Sequence, residues 1–401
     1  VDSGAQLELR NVSLVRGSAL AGGCVFVGEG STFVATDTVI ADCASTAFGG
    51  AVFGFRLSLL AFKGASLVAD SSSEQGGCLY SWGGSVELAD QTRIRHCEAS
   101  DGGGVFTDSA NVTVAGDAAV YECVAEEYGG CFYFQGLELQ GGGSAVFKNK
   151  AALQACVAGG NGGGIYAQLL DMVIIQDQAR LRQCEARNGG GVFADVVADL
   201  TVAGDAAVYE CVAEGDGGCF HFQVSGSAVF KDKAALQACV AGGSGGGIYV
   251  LSMDMVIFRD QAAVTGCRAR VYGGGISVAW VALVRLEGAS AIQGCSAGDS
   301  GGGVFAYGEG ALELRGGARV SDCQVGRQGG GIYIEDVETL VLGGQSAVLR
   351  CSAAEGGGIF YFLPEDRADP FPVVLEGAAS VANCSATAGG GMDLVRASVT
   401  V

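Results

Sequence analysis

Short apolar–polar alternations dominate the chain. Runs such as NVTVAGDAAV at 111–120 put an apolar side chain at every second position, then break at small and acidic residues. That period predicts half-buried strands separated by turns. No segment carries a helical period of useful length. The strands recur in a fixed frame. Gly-Gly followed by Gly, Ala or Cys, and usually by an aliphatic–aromatic pair, occurs fourteen times, mostly 26–28 residues apart with two intervals of 33. A second landmark precedes each triplet: an apolar residue, two variable ones, Cys, any residue, Ala. Examples are VYECVA at 120–125 and LQACVA at 153–158.

Each repeat therefore holds about three short strands and cannot bury its apolar residues alone. Stacking the repeats buries them as a column. The pattern predicts an all-β chain, a single-stranded parallel β-helix of about 13–14 coils of 26–28 residues. It reads as one continuous domain, 1–401, with coil insertions near 136–142 and 363–371. With one coil per strand spacing of roughly 4.8 Å, the rod would be about 60 Å long. A larger repeat is also present. TVAGDAAVYECVAE at 113–126 returns at 201–214, and the segment 143–166 returns nearly unchanged at 226–249. A block of three coils was duplicated, which favours length as the selected property.

Composition narrows the setting. Of 401 residues 69 are glycine and only 3 proline, while 49% are hydrophobic. Collagen needs much proline in a strict Gly-X-Y period, and a disordered linker would be poor in apolar residues. The formal net charge of −20 opposes nucleic acid and anionic lipid as partners. Sixteen cysteines suit an oxidising compartment better than a metal site, since close Cys-x-x-Cys pairs are absent and the histidines number two. No apolar run approaches 18 residues, so no membrane insertion is expected in this segment. The chain reads as part of a longer extracellular or cell-surface protein.

The repeats resemble those of the chlamydial polymorphic outer-membrane proteins, which carry Gly-Gly-Ala-Ile and Phe-x-x-Asn motifs. GGAV at 49–52 and GGI at 163–165 match the first motif. VIADCA at 39–44 and AIQGCSA at 291–297 match the second in frame, with Cys in place of Asn. The resemblance covers the whole chain. It implies a right-handed β-helix, surface-exposed and adhesive.

Column by column, the aliphatic after the triplet faces inward, as do the residue two further on and the Ala after Cys. Parity then sends the Cys inward too. Twelve cysteines form that column, with Arg16 and Ser71 in its two gaps. The other four follow Gly-Gly, and each precedes a column Cys of its own coil: Cys24/Cys43, Cys78/Cys97, Cys131/Cys156 and Cys219/Cys239. Two readings stand: four intra-coil disulfides, or a ladder of buried free thiols. Eleven of fourteen residues after the aliphatic are aromatic: Phe26, Phe53, Tyr80, Phe106, Tyr133, Tyr166, Phe193, Tyr249, Phe305, Tyr333 and Phe360. His221, Ser277 and Asp393 take the other places. Lying between two inward columns, this ladder should point outward as an exposed interaction face. Rings stacked on one another for stability are the alternative. The two ladders conflict, because the Gly-Gly cysteines share parity with the aromatics, unless alternation breaks at the bend.

No catalytic constellation stands out. Glu287, Glu313, Glu335 and Asp336 with Arg285 and Arg315 are the nearest to a polysaccharide-cleaving set, and read better as solvated strand residues. Asp117, Asp177, Asp205 and Asp260 precede the middle strand at equivalent places; they cap turns or, alternatively, bind Ca²⁺. No other cofactor is expected. Asn11, Asn111 and Asn383 open glycosylation sequons. Pro364, Pro370 and Pro372 gather at the 363–371 insertion, a candidate lateral contact. The expected function is a non-enzymatic extracellular structural or adhesive rod in a cell-surface or filamentous assembly, with protein partners or self-association. A carbohydrate-binding or polysaccharide-degrading β-helix is the alternative.

Overall fold

The computed structural model describes residues 4–136, 142–364 and 372–400, and its contacts divide the chain into two compact units, 1–200 and 201–401. The 363–371 insertion and that at 136–142 lie almost entirely outside the described residues. Each unit is a parallel β-solenoid built from strands and turns, and the chain makes about 14 turns in all. Every described coil repeats the same circuit. In unit 1 the strands Val105–Asp108 and Asn111–Val114 lie on the longest face, Ala119–Tyr121 on a second and Val124–Tyr128 on a third. In some coils the two strands of the long face fuse into one eleven-residue strand, Ile165–Ile175 in unit 1 and Ile248–Phe258 and Ile276–Leu286 in unit 2.

Pairing is parallel and in register. Val105 lies opposite Phe132 and Phe106 opposite Tyr133 in unit 1; Ile248 lies opposite Ile276 and Tyr249 opposite Ser277 in unit 2. A residue type repeated in sequence therefore becomes a stack in space. The interior columns are filled by aliphatic residues and by large rings such as Phe132, Phe134 and Phe147 in unit 1 and Phe220, Phe230 and Phe258 in unit 2. Deep burial of such rings is worth about 1.5–3 kcal/mol each.

The corners follow from glycine's two freedoms. The first corner glycine takes the left-handed region, as at Gly245 with φ +68°, where a side chain strains the backbone. The second leaves no room for a β-carbon: at Gly246 that atom would stand 2.4 Å from the carbonyl oxygens of Arg268 and Gly274. A second bend falls just before the column cysteine. Its residue is left-handed in coil after coil, as at Asp42, His96, Glu122, Ala238, Asp322 and Asn383. This bend resolves the parity of the landmark. The apolar residue points in, two positions are spent on the bend, and Cys and Ala then both point in. Ala125, Ala158 and Ala186 pack together on the inside of unit 1.

One column assignment shifts by a residue. Val15 lies opposite Ala41, so Gly17, not Arg16, stands over Cys43. Arg16 is the left-handed bend residue.

Candidate functional site

Four disulfides tie the coils: Cys24–Cys43, Cys78–Cys97, Cys131–Cys156 and Cys219–Cys239, each with Cα atoms 5.4–5.7 Å apart. They join the Gly-Gly corner to the column within one coil. The parity conflict disappears because the residue at the third corner position turns into the interior. The other column cysteines are free thiols, buried except for half-buried Cys384. Burial pushes the Cys123 thiol up to about 12, so it stays protonated and unreactive. Their S–H groups donate to nearby carbonyls, Cys323 to Ser321 at 3.2 Å and Cys351 to Leu349 at 3.3 Å. Both readings of the cysteines thus hold, each for its own coils. Four disulfides are those of a chain held in a non-reducing setting.

The aromatic ladder is not the exposed face that alternation predicts. Phe53, Tyr80, Phe106, Tyr133, Tyr166 and Phe193 form a buried cluster of their own in unit 1. In unit 2 Tyr333 and Phe360 are buried as well, and Tyr249 and Phe305 half-buried. Only Phe26, at 47% exposed, matches the expectation. The reason is the Gly-Gly corner, which folds the third face back toward the ladder and makes their angle concave. Residues just before the corner then cover the rings. Phe48 packs on Phe53 and Tyr80 at 5.6 and 5.0 Å, and Tyr128 on Tyr166 at 4.9 Å. Within the ladder, Tyr80 and Phe106 stack at 4.8 Å, and Phe305 and Tyr333 at 5.0 Å. The seam is held by the ring–ring stacking that the alternative proposed.

Among the described residues of unit 2 the seam opens beside Ser277. A groove of about 520 Å³ is floored by Tyr249, Ser277, Phe305 and Tyr333. One wall carries Asp216, Tyr272, Asp299 and Arg327, the other Tyr307 and Glu335. Arg327 pairs with Asp299 at 2.9 Å, and the Tyr333 hydroxyl donates to Glu335 at 2.9 Å. The backbone N–H of Ser244 donates to Asp216 at 2.7 Å. Burial, and then Asp216, raises the Tyr249 hydroxyl above its ordinary range. Sequence reading missed this groove. Its signal was Ser277, the one small residue inside the ring column, together with Tyr272 five residues before it.

The remaining candidates separate. Glu313 is bridged by Arg285 at 2.8 Å and Arg315 at 3.1 Å; although burial opposes it, these hydrogen bonds hold the carboxyl below its usual range. It is a structural ion pair, and of the four acids only Glu335 enters the groove. Asp177 and Asp260 accept the backbone N–H groups of Asn149 and Asp232 in the preceding coil, as turn caps do. Asp117 and Asp205 lie 4.0 Å from Lys150 and Lys233. Among the described residues no three His, Cys, Asp or Glu side chains converge as a metal cluster would. Asn11, Asn111 and Asn383 are all exposed, and no described helix is long and apolar enough to cross a membrane.

Comparison with known proteins finds no matching family model, no matching curated protein and no matching solved structure. The fold defines the chain as a parallel β-solenoid.

Proposed function

We propose that this chain is a non-enzymatic structural and adhesive element of an extracellular or cell-surface assembly, one continuous β-helix along its length. The observation that carries the reading is that its features repeat coil after coil. Inward aliphatics, stacked rings, corner glycines and column cysteines recur, and a whole block of coils was duplicated without adding a new kind of residue. Duplication lengthens a solenoid because each coil meets only its neighbours. The resemblance to chlamydial surface repeats and the disulfides support the same setting. Glycans on Asn11, Asn111 and Asn383 would suit it, since all three are exposed.

Electron microscopy of native material tests the proposal. Lateral or end-to-end contacts between copies, or between this chain and a surface partner, are the expected result; isolated monomers would count against it. The groove of unit 2 favours a second reading, carbohydrate binding, because it sets aromatic faces beside carboxylates. A glycan array with a reducing-sugar assay on acidic polysaccharides separates the two. Turnover would sink the structural reading.

A further inference from the structure

A run of free thiols fills the cysteine column of unit 2. Cys267, Cys295, Cys323, Cys351 and Cys384 stand in successive coils, all buried except half-buried Cys384. The residues two before them, from Thr265 to Ala382, lie opposite one another in register. Each sulfur makes the same two contacts. One is to the carbonyl two residues back in its own coil, at 3.2–3.6 Å. The other is to a carbonyl of the preceding coil, at 3.7–4.0 Å. With the same surroundings in every coil, the sulfurs repeat at the strand spacing, roughly 4.8 Å. Each thiol interacts with the next, Cys267 with Cys295, Cys295 with Cys323, and so on to Cys384.

No disulfide suits these thiols. The third corner position of their coils is glycine, as at Gly275 beside Cys295 and Gly358 beside Cys384, so no partner stands in the same coil. A bridge to the next coil would need β-carbons near 3.8 Å, closer than stacked strands hold them. A metal ion fits the spacing better. Two metal–thiolate bonds of roughly 2.3 Å laid end to end span about 4.6 Å. Thiolates are soft ligands that select Cu(I), and this monovalent ion is satisfied by two thiolates in a line. Zn(II) wants four ligands around it, and among the described residues no three His, Cys, Asp or Glu side chains converge. Two thiolates are costly to bury alone, and a bound cation cancels one of the two charges. At the Cys351–Cys384 gap the Arg350 guanidinium, held on Asp322 at 2.6 Å, stands within electrostatic reach of both sulfurs.

We propose that neighbouring thiols of this run bind Cu(I), each ion held in a line between the sulfurs of two successive coils. An ion forms two Cu–S bonds and displaces two thiol protons to solvent, and copper enters and stays as Cu(I), so no electron is transferred. Five thiols in a line make two separate pairs, and the run therefore takes two ions. This goes beyond the structural reading and holds whether or not the chain forms an assembly.

The test is anaerobic titration of the full chain with Cu(I), with bicinchoninate in excess so that only sites tighter than a lone thiol take the ion. Two double variants remove the same number of thiols. Cys295→Ser with Cys351→Ser leaves Cys267, Cys323 and Cys384, no two of them in successive coils. Cys267→Ser with Cys384→Ser leaves Cys295, Cys323 and Cys351 side by side. Serine already occupies the column in unit 1, as buried Ser71. The first variant should take up two ions fewer than wild type, and the second one fewer. Equal uptake by the two variants would show that adjacency does not matter and overturn the proposal, as would no uptake by wild type. Should a variant fail to fold, X-ray absorption of the copper-loaded wild type decides. Two sulfur neighbours at roughly 2.3 Å are required; nitrogen or oxygen neighbours, or three or more sulfurs, reject it.

Discussion

A β-carbon built on Gly275 would stand 3.4 Å from the sulfur of Cys295. The same relation recurs at Gly247 and Cys267 (3.4 Å), Gly303 and Cys323 (3.2 Å), and Gly331 and Cys351 (3.1 Å). In four other coils the corner position holds Cys24, Cys78, Cys131 or Cys219, and the disulfide forms. The third corner residue thus decides whether a coil is cross-linked. Where it is glycine, the column thiol stays free.

Gly275→Cys should then create a fifth disulfide, joining the introduced thiol to Cys295. The new side chain must displace neighbours, since its β-carbon would meet the Gly303 oxygen and Ile292 Cγ2 at 2.7 Å. The native disulfide coils accept a β-carbon at the same corner position. Wild type has eight free cysteines. Thiol titration of the oxidised variant in denaturant should give seven (eight plus one, minus the two joined), and a count of nine would show that the bridge does not close.

Cys219→Gly should convert a cross-linked coil into the free-thiol kind. Cys239 would remain in its column, where buried thiols are tolerated in neighbouring coils. A loop of this size predicts a loss of about 3 kcal/mol, mainly through the unfolded chain. Urea unfolding should show a lower midpoint, and reduction of wild type should move it the same way.

Glycines at the corner and away from it should differ sharply in tolerance. Gly246→Ala drives a β-carbon into the backbone of two coils, with carbonyl oxygens at 2.4 Å. Gly326→Ala, on the third face, meets a single atom, the Gly298 oxygen at 3.2 Å. G246A should lower the melting temperature severely or prevent folding. G326A should change stability by about 0.5 kcal/mol or less, as exposed substitutions usually do.

His221 should make unit 2 acid-sensitive. Burial pushes its imidazole down to about 4, although the Asp216 carbonyl and carboxylate pull the other way. Between that value and the ordinary one near 6.5 the unfolded chain binds more protons than the folded one. The stability is full above pH ~6.5 and is lost as pH falls toward ~4. Asp101 in unit 1 has the opposite slope. Burial, and then Glu127, raise its carboxyl to about 6, so protonation below that value favours the folded state. The readout is therefore the difference between wild type and His221→Phe. The variant restores the ring common in this column, and it should lose less melting temperature than wild type between pH 7 and 4.5.

Much of this architecture was legible in the chain. Fourteen corners and an apolar-x-x-Cys-x-Ala landmark sufficed for a parallel solenoid and its coil length, because in-register stacking converts sequence period into columns. Co-occurrence offered the pairing of Cys24, Cys78, Cys131 and Cys219 with column cysteines as one of two readings, and the structure holds it for those four coils. Parity was less dependable. It ran two residues at a time through Arg16 and the corner glycines, where left-handed backbone breaks alternation, and so misplaced one column member and left the cysteine geometry contradictory. Asp, His and Asn before the column cysteines were the available signal for that bend, being residues that tolerate a positive φ.

Sequence by itself determined the strands, the coil and the corners, since each depends on contacts inside one coil or on strict repetition between adjacent ones; which cysteines pair was decided by the structure. Only the tertiary structure decided that the aromatic ladder is a buried seam and that Ser277 opens it into a groove. Alternation says which side of a strand a ring leaves from. It does not carry the angle between two faces of a coil, and that angle, concave at the Gly-Gly corner, brings Phe48, Tyr128 and Tyr272 over the rings and sets their exposure.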